Sequence, residues 1–571
     1  METGDAETES GEGTADTNTE DETGDQTHGR AAMVEDLRVL LDRIESIHPD
    51  PYHGYDGRVD LHRTVETTVR ELPESATTEE FYRQVAPVIA GLNDVHSSLD
   101  SPERETDGEL PLSFRVVGRS LYVDSVADQS LEELLGGRVR RIGTQPTERL
   151  VERGRALYGA ENDYWAYHQV GLSLSAFGSV DQLLGRPAPS SLSLTVETPG
   201  GNEHQQTVTP VGTEQSGDDT GQREADRQVQ RLDSTVSVPN GSGPRYRLYE
   251  GGDAALFVPG ELQGYREAIE AARARGAEYT ETVARTAYER HVGGDVPESL
   301  DSVVDALPSM VERLRGLVRS MAAAETGALI VDLRGNPGGD SRFMFFLGYV
   351  LYGIDRLVRT MDWEIGVKRR TDPHRDRYGV PDAAQTEFAT FEGNPADYDF
   401  GDSFQRRASS HEQQVERFLD DHSTGTFGEE TTDRTYEGYY EPEQVVAVTD
   451  TATMSSAFAG AALLSATGAD IVGVPSGQAP VSFGEAVEVT LPNTDLTASI
   501  SGSIYQWTPE PDGPVVQMDA ELTPDRFENR YDRAGDAALR LAFDHAGVTA
   551  PGETPTPADS DRPDDPSDSG V

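Results

Sequence analysis

The sequence predicts an α/β core, because continuous apolar segments alternate with helical patterns between residues 254 and 549. Such segments are typical of strands that are buried on both faces of a sheet. The clearest are AALFV at 254–258, ALIVDL at 328–333, VVAVTD at 445–450 and DIVGV at 470–474. Because the chain has 571 residues, far more than the roughly 150 of a typical domain, we expect further modules before this core.

The N-terminal part of the chain, residues 32–106, is predicted to be a small helical module. Apolar residues recur with helical spacing up to Ile47 and predict a helix. Pro49 ends it, because proline and the residue before it disfavour helical backbone. A second helix is predicted to begin at Thr77, where Glu80 completes a capping-box pattern three residues later.

Residues 107–212 carry strand patterns instead. The segments SFRVVG, SLYVDSV, GRVRRIG and SLSLTVET indicate a β-rich module, PDZ-like or similar. Residues 213–243 are polar and are predicted to form a flexible insertion before the α/β core, which we place at 244–549. The acidic terminal segments, 1–31 and 550–571, contain few apolar residues and are predicted to be disordered.

The charge balance is strongly acidic, with 102 Asp and Glu against 48 Lys and Arg and a formal net charge of -54. This excludes a nucleic-acid-binding protein, which needs a basic face, and indicates a soluble protein adapted to high salt, where carboxylate repulsion is screened. The chain has no cysteine, so disulfides and thiolate sites are excluded. We expect a cytoplasmic location, since neither a signal peptide nor a membrane-spanning apolar run is visible.

The first candidate site feature is the turn that follows ALIVDL, which reads Arg-Gly-Asn-Pro-Gly-Gly and ends at Gly339. Its glycines allow backbone N–H groups to point away from a strand ladder, so they could form an oxyanion hole. The alternative is an ordinary Gly-Pro turn. A helix is predicted to begin after it, near Ser341.

A serine and a histidine complete the candidate chemistry. Ser455 follows VVAVTD near the start of a small-residue helix, where unpaired N–H groups and the helix dipole favour nucleophilic attack. The alternative is that Ser455 is only a helix N-cap. His96 lies in a loop with Asp94 two residues before it and is either a general base or a surface or capping histidine.

In this order the motifs resemble the C-terminal-processing, or tail-specific, serine peptidases, a group that includes tricorn protease and the retinoid-binding-protein repeats. Further matching motifs are His-Pro-Asp-Pro-Tyr at 48–52, Gly-Val-Pro-Ser-Gly at 473–477 and Leu-Thr-Pro-Asp at 522–525. The resemblance implies a crotonase-like (ClpP/crotonase-type) core with Ser455 as nucleophile. It also implies oxyanion donors from the amides of Ser456 and of Gly338 or Gly339.

The sequence departs from this family at two places. The bacterial branch uses a lysine in a Gly-Lys context beyond the serine, but residues 473–485 (GVPSGQAPVSFGE) contain none. Lys368 lies upstream in an unrelated segment, and arginine cannot replace a neutral lysine because it does not deprotonate. Phe458 stands where many relatives carry glutamate.

The tricorn-like branch uses a histidine from the N-terminal region, oriented through a carboxylate beyond the serine. Resemblance to that branch, together with its retinoid-binding-protein-like relatives, implies His96 as the base and leaves Asp519 and Glu521 as alternative orienting acids. The cluster of His48, Asp50 and His53 indicates a proline-rich helix stop rather than a metal site, and no cofactor is expected.

The sequence therefore predicts a serine endopeptidase that acts on unfolded or C-terminal protein segments. The first alternative is a catalytically inactive homologue that binds peptide or a small apolar ligand. The second is acyl transfer on a thioester, as the crotonase-like core would allow. The sequence leaves the oligomeric state and the cleavage preference open.

Overall fold

The computed structural model describes most of residues 26–550. Its gaps are 103–107, 178–179, 187–188, 212–228, 250, 278, 361–364, 370–402, 407–410, 432–435, 509–512 and 514. Most of the predicted acidic tails at 1–31 and 550–571, and about half of the predicted insertion at 213–243, lie outside the described residues.

The N-terminal module is helical, as predicted. Its elements are β1 (Thr27–Gly29), α1 (Arg30–Ile47), α2 (Arg58–Glu71), β2 (Ser75–Thr77) and α3 (Thr78–Ala90). Helix α1 ends where the proline pattern predicted, with His48 in extended backbone as its C-cap. The predicted capping box is also confirmed, since the Thr77 hydroxyl accepts the amide of Glu80 while the Glu80 carboxylate accepts the amide of Thr77.

The β-rich module is a seven-stranded antiparallel sheet in the order β10-β5-β6-β8-β9, with β4 on β5 and β7 on β6. Its strands are β4 (Leu112–Val116), β5 (Leu121–Val126), β6 (Arg138–Ile142), β7 (Gln145–Pro146), β8 (Leu192–Glu197), β9 (Glu203–Val208) and β10 (Gln230–Arg231). Its helices are a 3-10 turn (Gln129–Leu134), α4 (Thr147–Tyr158), α5 (Asp163–Ala176) and α6 (Val180–Leu184). Apolar residues of the sheet and of α4, α5 and α6 share one core.

The α/β core contains a six-stranded sheet in the order β11-β12-β13-β16-β17-β20, parallel except for β11. The strands are β11 (Arg245–Leu248), β12 (Ala254–Val258), β13 (Ala328–Asp332), β16 (Gln444–Thr449), β17 (Asp470–Gly473) and β20 (Ala520–Glu521). The inner strand β13 is buried at every position, which explains its continuous apolar sequence. Because β13 and β16 are parallel neighbours, the turns that follow them lie at the same edge of the sheet.

Helices cover both faces of this sheet. They are α7 (Arg266–Ala274), α8 (Thr280–His291), α9 (Leu300–Ala306), α10 (Met310–Ala324), α11 (Arg342–Thr360), α12 (His411–Asp421), α13 (Gly425–Glu430), α14 (Ser455–Ala466) and α15 (Ala537–His545). Helices α10, α11 and α14 share one apolar core with the sheet, and α15 packs in a second core with its other face. A five-residue π-turn (Arg526–Arg530) precedes α15.

A second sheet connects the core to the N-terminal module. It has the order β15-β14-β19-β18, and β3 pairs with β19. Its strands are β3 (Ser98–Leu99), β14 (Ile365–Arg369), β15 (Ser403–Arg406), β18 (Val481–Thr490) and β19 (Thr497–Gln506). The β18–β19 hairpin packs its apolar residues with those of α1 and α3, so the loop before β3 is held beside the core. Within the described residues, no helix is long and apolar enough to cross a membrane.

Candidate active site

Ser455 is the first residue of α14, as the sequence predicted, but it is not the N-cap. Met454 occupies that position, and no side chain caps the helix. Ser455 has a φ of 50°, in the left-handed region that non-glycine residues rarely adopt. Its N–H donates to Oε1 of Gln478 (2.5 Å), so a buried amide, rather than helix geometry alone, fixes this turn.

The glycine turn after β13 lies directly against the Ser455 turn. The buried Asn336 joins the two, because its carbonyl accepts the N–H of Met454 (2.9 Å) and its Nδ2 donates to the carbonyl of Gly260 (2.6 Å). Gly338 has a φ of 104°, and a Cβ atom there would lie 2.7 Å from Cβ of Ser455. Only glycine allows this close approach of the two backbones.

The predicted oxyanion donors are the amide of Ser456 and that of either Gly338 or Gly339, and the two glycine amides differ in their surroundings. The N–H of Gly338 donates to Oδ1 of Asn336 (3.0 Å) and is already engaged. Gly339 and Ser456 line the same cavity as Ser455, and the Ser456 hydroxyl donates to the carbonyl of Gly339 (2.6 Å). The geometry therefore favours the Gly339 amide over that of Gly338.

His96 lies in the loop between α3 and β3, and this loop is built around Asp94. The N–H of His96 donates to Oδ1 of Asp94 (2.8 Å), and the Ser97 hydroxyl donates to Oδ2. His48, at the end of α1, places its Nε2 3.3 Å from the same Oδ2, with both side chains fully buried. The Ser97 hydroxyl also accepts the N–H of Ser501 on β19 (3.0 Å), so the loop is attached to the second sheet.

Burial and charge set the protonation of this cluster. Burial alone would raise the pKa of Asp94, but the hydrogen bond and charge of His48, with the charge of His96, lower it to about 2. Burial lowers the pKa of His96, although the negative charge of Asp94 opposes it. His96 is therefore neutral at neutral pH, the state in which an imidazole can accept a proton.

Glu161, which the sequence did not single out, lies beside His96. A ring nitrogen of His96 and carboxylate oxygens of Glu161 and Asp94 all lie within 4.8 Å of one another. Oε2 of Glu161 accepts the N–H of Ala479 (2.7 Å). Burial, together with the negative charge of Asp94, holds the pKa of Glu161 well above its usual value. Its position in a short polar loop gave no sequence signal.

Both predicted orienting acids are engaged elsewhere. Oε1 of Glu521 accepts the hydroxyl of Tyr164 (3.1 Å), and Oδ2 of Asp519 accepts the N–H of Ile471 (2.8 Å). Neither is among the described residues that line the cavity at Ser455. Phe458, which stands where many relatives of the resembled family carry glutamate, is buried among the core residues of α14.

Ser455 and His96 both line one cavity of about 570 Å³. Its wall combines the aromatic side chains of Phe345, Phe418, Phe483, Tyr505 and Trp507 with the charged side chains of Arg275, Asp340, Arg342, Arg417, Asp421 and Glu485. Tyr505 and Trp507 stack with ring centroids 5.1 Å apart. No hydrogen bond joins Ser455 to His96 among the described residues, and catalytic hydrogen bonds are often long before substrate binds. The structure thus brings together the serine, the histidine and two amides that the sequence placed far apart.

Gln478 is a second residue of the site that was not predicted from the sequence, although its sequence context gave an indication. It follows Gly477, and a Gly-Lys pair beyond the serine is the context of the lysine in the bacterial branch of the resembled family. Here the side chain accepts from Ser455 and donates from Nε2 to the hydroxyl of Ser482 (2.8 Å). An amide thus supports the backbone of the serine where the resembled family carries an amine.

Comparison with known proteins gives a likeness in fold. No protein-family model and no curated protein matches the chain. The structure is similar to mature CPAF complexed with lactacystin, with a TM-score of 0.50 and 15% identity over 90% of this chain and 99% of that chain. For mature CPAF the TM-score is 0.51, again with 15% identity, over 91% of this chain and 98% of that chain. The photosystem II D1 C-terminal processing protease has a TM-score of 0.35 and 13% identity, over 90% and 98%.

Proposed function

We propose that the protein is a serine peptidase of the C-terminal-processing type, with Ser455 as nucleophile and His96 as general base. The observation that carries this proposal is that both side chains line one cavity beside the amides of Gly339 and Ser456. The likeness in fold to CPAF, which the structure shares over nearly its whole length, supports it.

The proposed reaction is acyl transfer in two steps. His96 accepts the proton of the Ser455 hydroxyl as its oxygen attacks the scissile carbonyl, and the Gly339 and Ser456 amides hold the oxyanion. His96 then returns the proton to the leaving amine, and a water molecule hydrolyses the acyl-enzyme by the same route. The left-handed backbone of Ser455 positions its hydroxyl at the helix N-terminus, where the helix dipole favours negative charge.

The substrate that we propose is an unfolded or C-terminal protein segment. The cavity is wide enough for several side chains, and its aromatic and charged lining residues can contact both apolar and polar side chains of an extended peptide. We assign a crotonase-like architecture to the core and a PDZ-like, substrate-recognising role to the seven-stranded module. The acidic composition supports activity at high salt.

Labelling with a fluorophosphonate probe tests the assignment of Ser455. We expect the full chain in high salt to be labelled at Ser455 and to cleave an unfolded protein, whereas Ser455→Ala does neither. Ser465→Ala is the matched control, because Ser465 lies in the same helix as Ser455 but does not line the cavity. Unchanged cleavage by Ser455→Ala would refute the proposal.

One observation favours a second candidate function, a non-catalytic peptide-binding homologue. Ser455 and His96 share the cavity without a hydrogen bond between them, and Phe458 replaces a glutamate of the resembled family. Such a protein would bind unfolded peptide without cleavage or labelling, and its affinity would not change in His96→Ala.

A further inference from the structure

We propose that Glu161, rather than Asp519 or Glu521, is the positioning residue that orients His96 for catalysis. This inference rests on the proposed peptidase function and adds a carboxyl group from the β-rich module to the site. The loop that carries Glu161 joins α4 to α5, so it belongs to a different module from both Ser455 and His96.

Two buried atoms without partners lead to this assignment. Nδ1 of His96 and Oε1 of Glu161 are both buried and have no hydrogen-bond partner among the described residues. Buried polar atoms are rarely left unsatisfied, because each costs free energy that a hydrogen bond would recover. A ring nitrogen of His96 and a carboxylate oxygen of Glu161 lie within 4.8 Å of each other, and we infer that the two unpartnered atoms pair with each other in the active site.

The remaining contacts of Glu161 hold it in place for this role. Its Oε2 accepts the N–H of Ala479, one residue beyond the glutamine that supports Ser455. The next residue, Asn162, donates from Nδ2 to the carbonyl of Ser476 (3.0 Å). The backbone of Phe483 and of Val95 also interacts with this carboxyl group. Glu161 is therefore fixed to the segment that also fixes Ser455, and its Oε1, which has no hydrogen-bond partner among the described residues, can accept from the imidazole.

Asp94 cannot take this role in the same way. Its oxygens already accept from His48, Ser97 and the backbone of His96 itself. Its negative charge acts on both partners instead, since it opposes ionisation of Glu161 and favours a charged His96. Asp94 thus stabilises the loop that carries His96, and Glu161 is the carboxyl group that orients the imidazole ring of His96.

The proton count of the pair defines its active form. When Glu161 and His96 together hold two protons, one proton lies between the carboxyl group and Nδ1 and the other is bound to Nε2. In this state Nε2 cannot accept a proton from Ser455. When they hold one, the carboxylate accepts from Nδ1–H, and Nε2 is free to act as base. The charged group that lies beside this pair is Asp94, from the loop of His96, and His48 at the end of α1 contacts that carboxylate rather than the pair itself. Activity should therefore increase with pH as the pair loses its second proton.

Glu161→Gln tests the inference, because it keeps the size of the side chain and its acceptor for Ala479. The amide then donates to Nδ1 and places the ring proton on Nε2, the wrong tautomer for a base. We expect kcat to fall by about 10⁴-fold, the loss seen when the acid of a serine triad becomes an amide, with KM little changed. The histidine nitrogen NMR signals of His96 should show protonation at Nε2 in the variant and at Nδ1 in the active wild type.

Asp519→Asn and Glu521→Gln are the matched controls and should keep the wild-type kcat and pH profile. Thermal unfolding of Glu161→Gln at neutral pH should show no loss of stability, since the variant removes a buried carboxyl whose ionised form is disfavoured. A wild-type kcat in Glu161→Gln, or a collapse of activity in either control alone, would overturn the inference. Wild-type protein that is neither active nor labelled would instead overturn the proposed function.

Chelation distinguishes a shared proton from a metal ion, because Asp94, His96 and Glu161 also lie close enough to bind one. We expect full activity after treatment with EDTA. Loss of activity that added Zn²⁺ restores would replace the positioning role of Glu161 with that of a metal ligand, and would overturn the inference.

Discussion

The contact between Gly338 and Ser455 makes Gly338→Ala the sharpest test of the site geometry. The new Cβ would lie 2.7 Å from Cβ of Ser455, 2.8 Å from the nitrogen of Ser456 and 2.9 Å from the carbonyl oxygen of Met454. Ordinary contact begins at 3.4 Å, so the turn that holds Ser455 has to move by about 0.7 Å. A misplacement of about 1 Å costs about 10²-fold in rate, and we expect a loss of that order in kcat/KM.

Gly335→Ala is the control for the backbone conformation. Gly335 belongs to the same turn and also has a positive φ, of 64°, but a Cβ there meets no atom within 4 Å. Both variants should lose about 1–3 kcal/mol of unfolding free energy to backbone strain, whereas only Gly338→Ala should also lose activity. The rates of fluorophosphonate labelling and peptide cleavage measure this difference. If Gly338→Ala is labelled as fast as Gly335→Ala, the close packing of the two turns does not determine the reactivity of Ser455.

Three further predictions concern stability. Gln478→Leu leaves the amide of Ser455 without its acceptor and should cost about 1–3 kcal/mol of unfolding free energy; a denaturant titration that shows no loss of stability would contradict this. Since the pKa of Asp94 is lowered from 3.8 to about 2 in the folded state, its ionised form stabilises the fold above the unfolded pKa, and this contribution disappears as pH falls through the folded value. The stability advantage of wild type over Asp94→Asn should therefore shrink by about 2 kcal/mol between about pH 5 and about pH 2, measured by urea unfolding. Finally, the unfolding temperature should rise as KCl increases from about 0.1 M to about 1 M, because screening relieves carboxylate repulsion; a salt-independent midpoint argues against adaptation to high salt.

Local features of the fold were predictable because their causes are local. The capping box at Thr77, the end of α1 before Pro49 and the start of α14 at Ser455 follow from residues within a few positions. Helix α5 was not predicted, since apolar residues occur all around it and no amphipathic period is visible.

The contacts that complete the site are long-range, and no spacing in the sequence reveals them. Glu161 and Ala479 are separated by 318 positions, and their hydrogen bond depends on how two modules pack. The left-handed backbone of Ser455 likewise follows from the amide of Gln478, 23 positions away, rather than from its neighbours. Motif order therefore predicted several residues that share one cavity, whereas the carboxyl group beside His96 is visible only in the three-dimensional packing.

Because no side chain caps α14, the conformation of Ser455 depends on other parts of the fold. The turn that holds Ser455 is also attached to distant segments, through Asn336 and Gln478. A molecule that opens at either segment loses its reactive hydroxyl geometry before the rest of it melts. Under the proposed peptidase function, a partly opened molecule would therefore lose its activity and become a substrate for intact molecules.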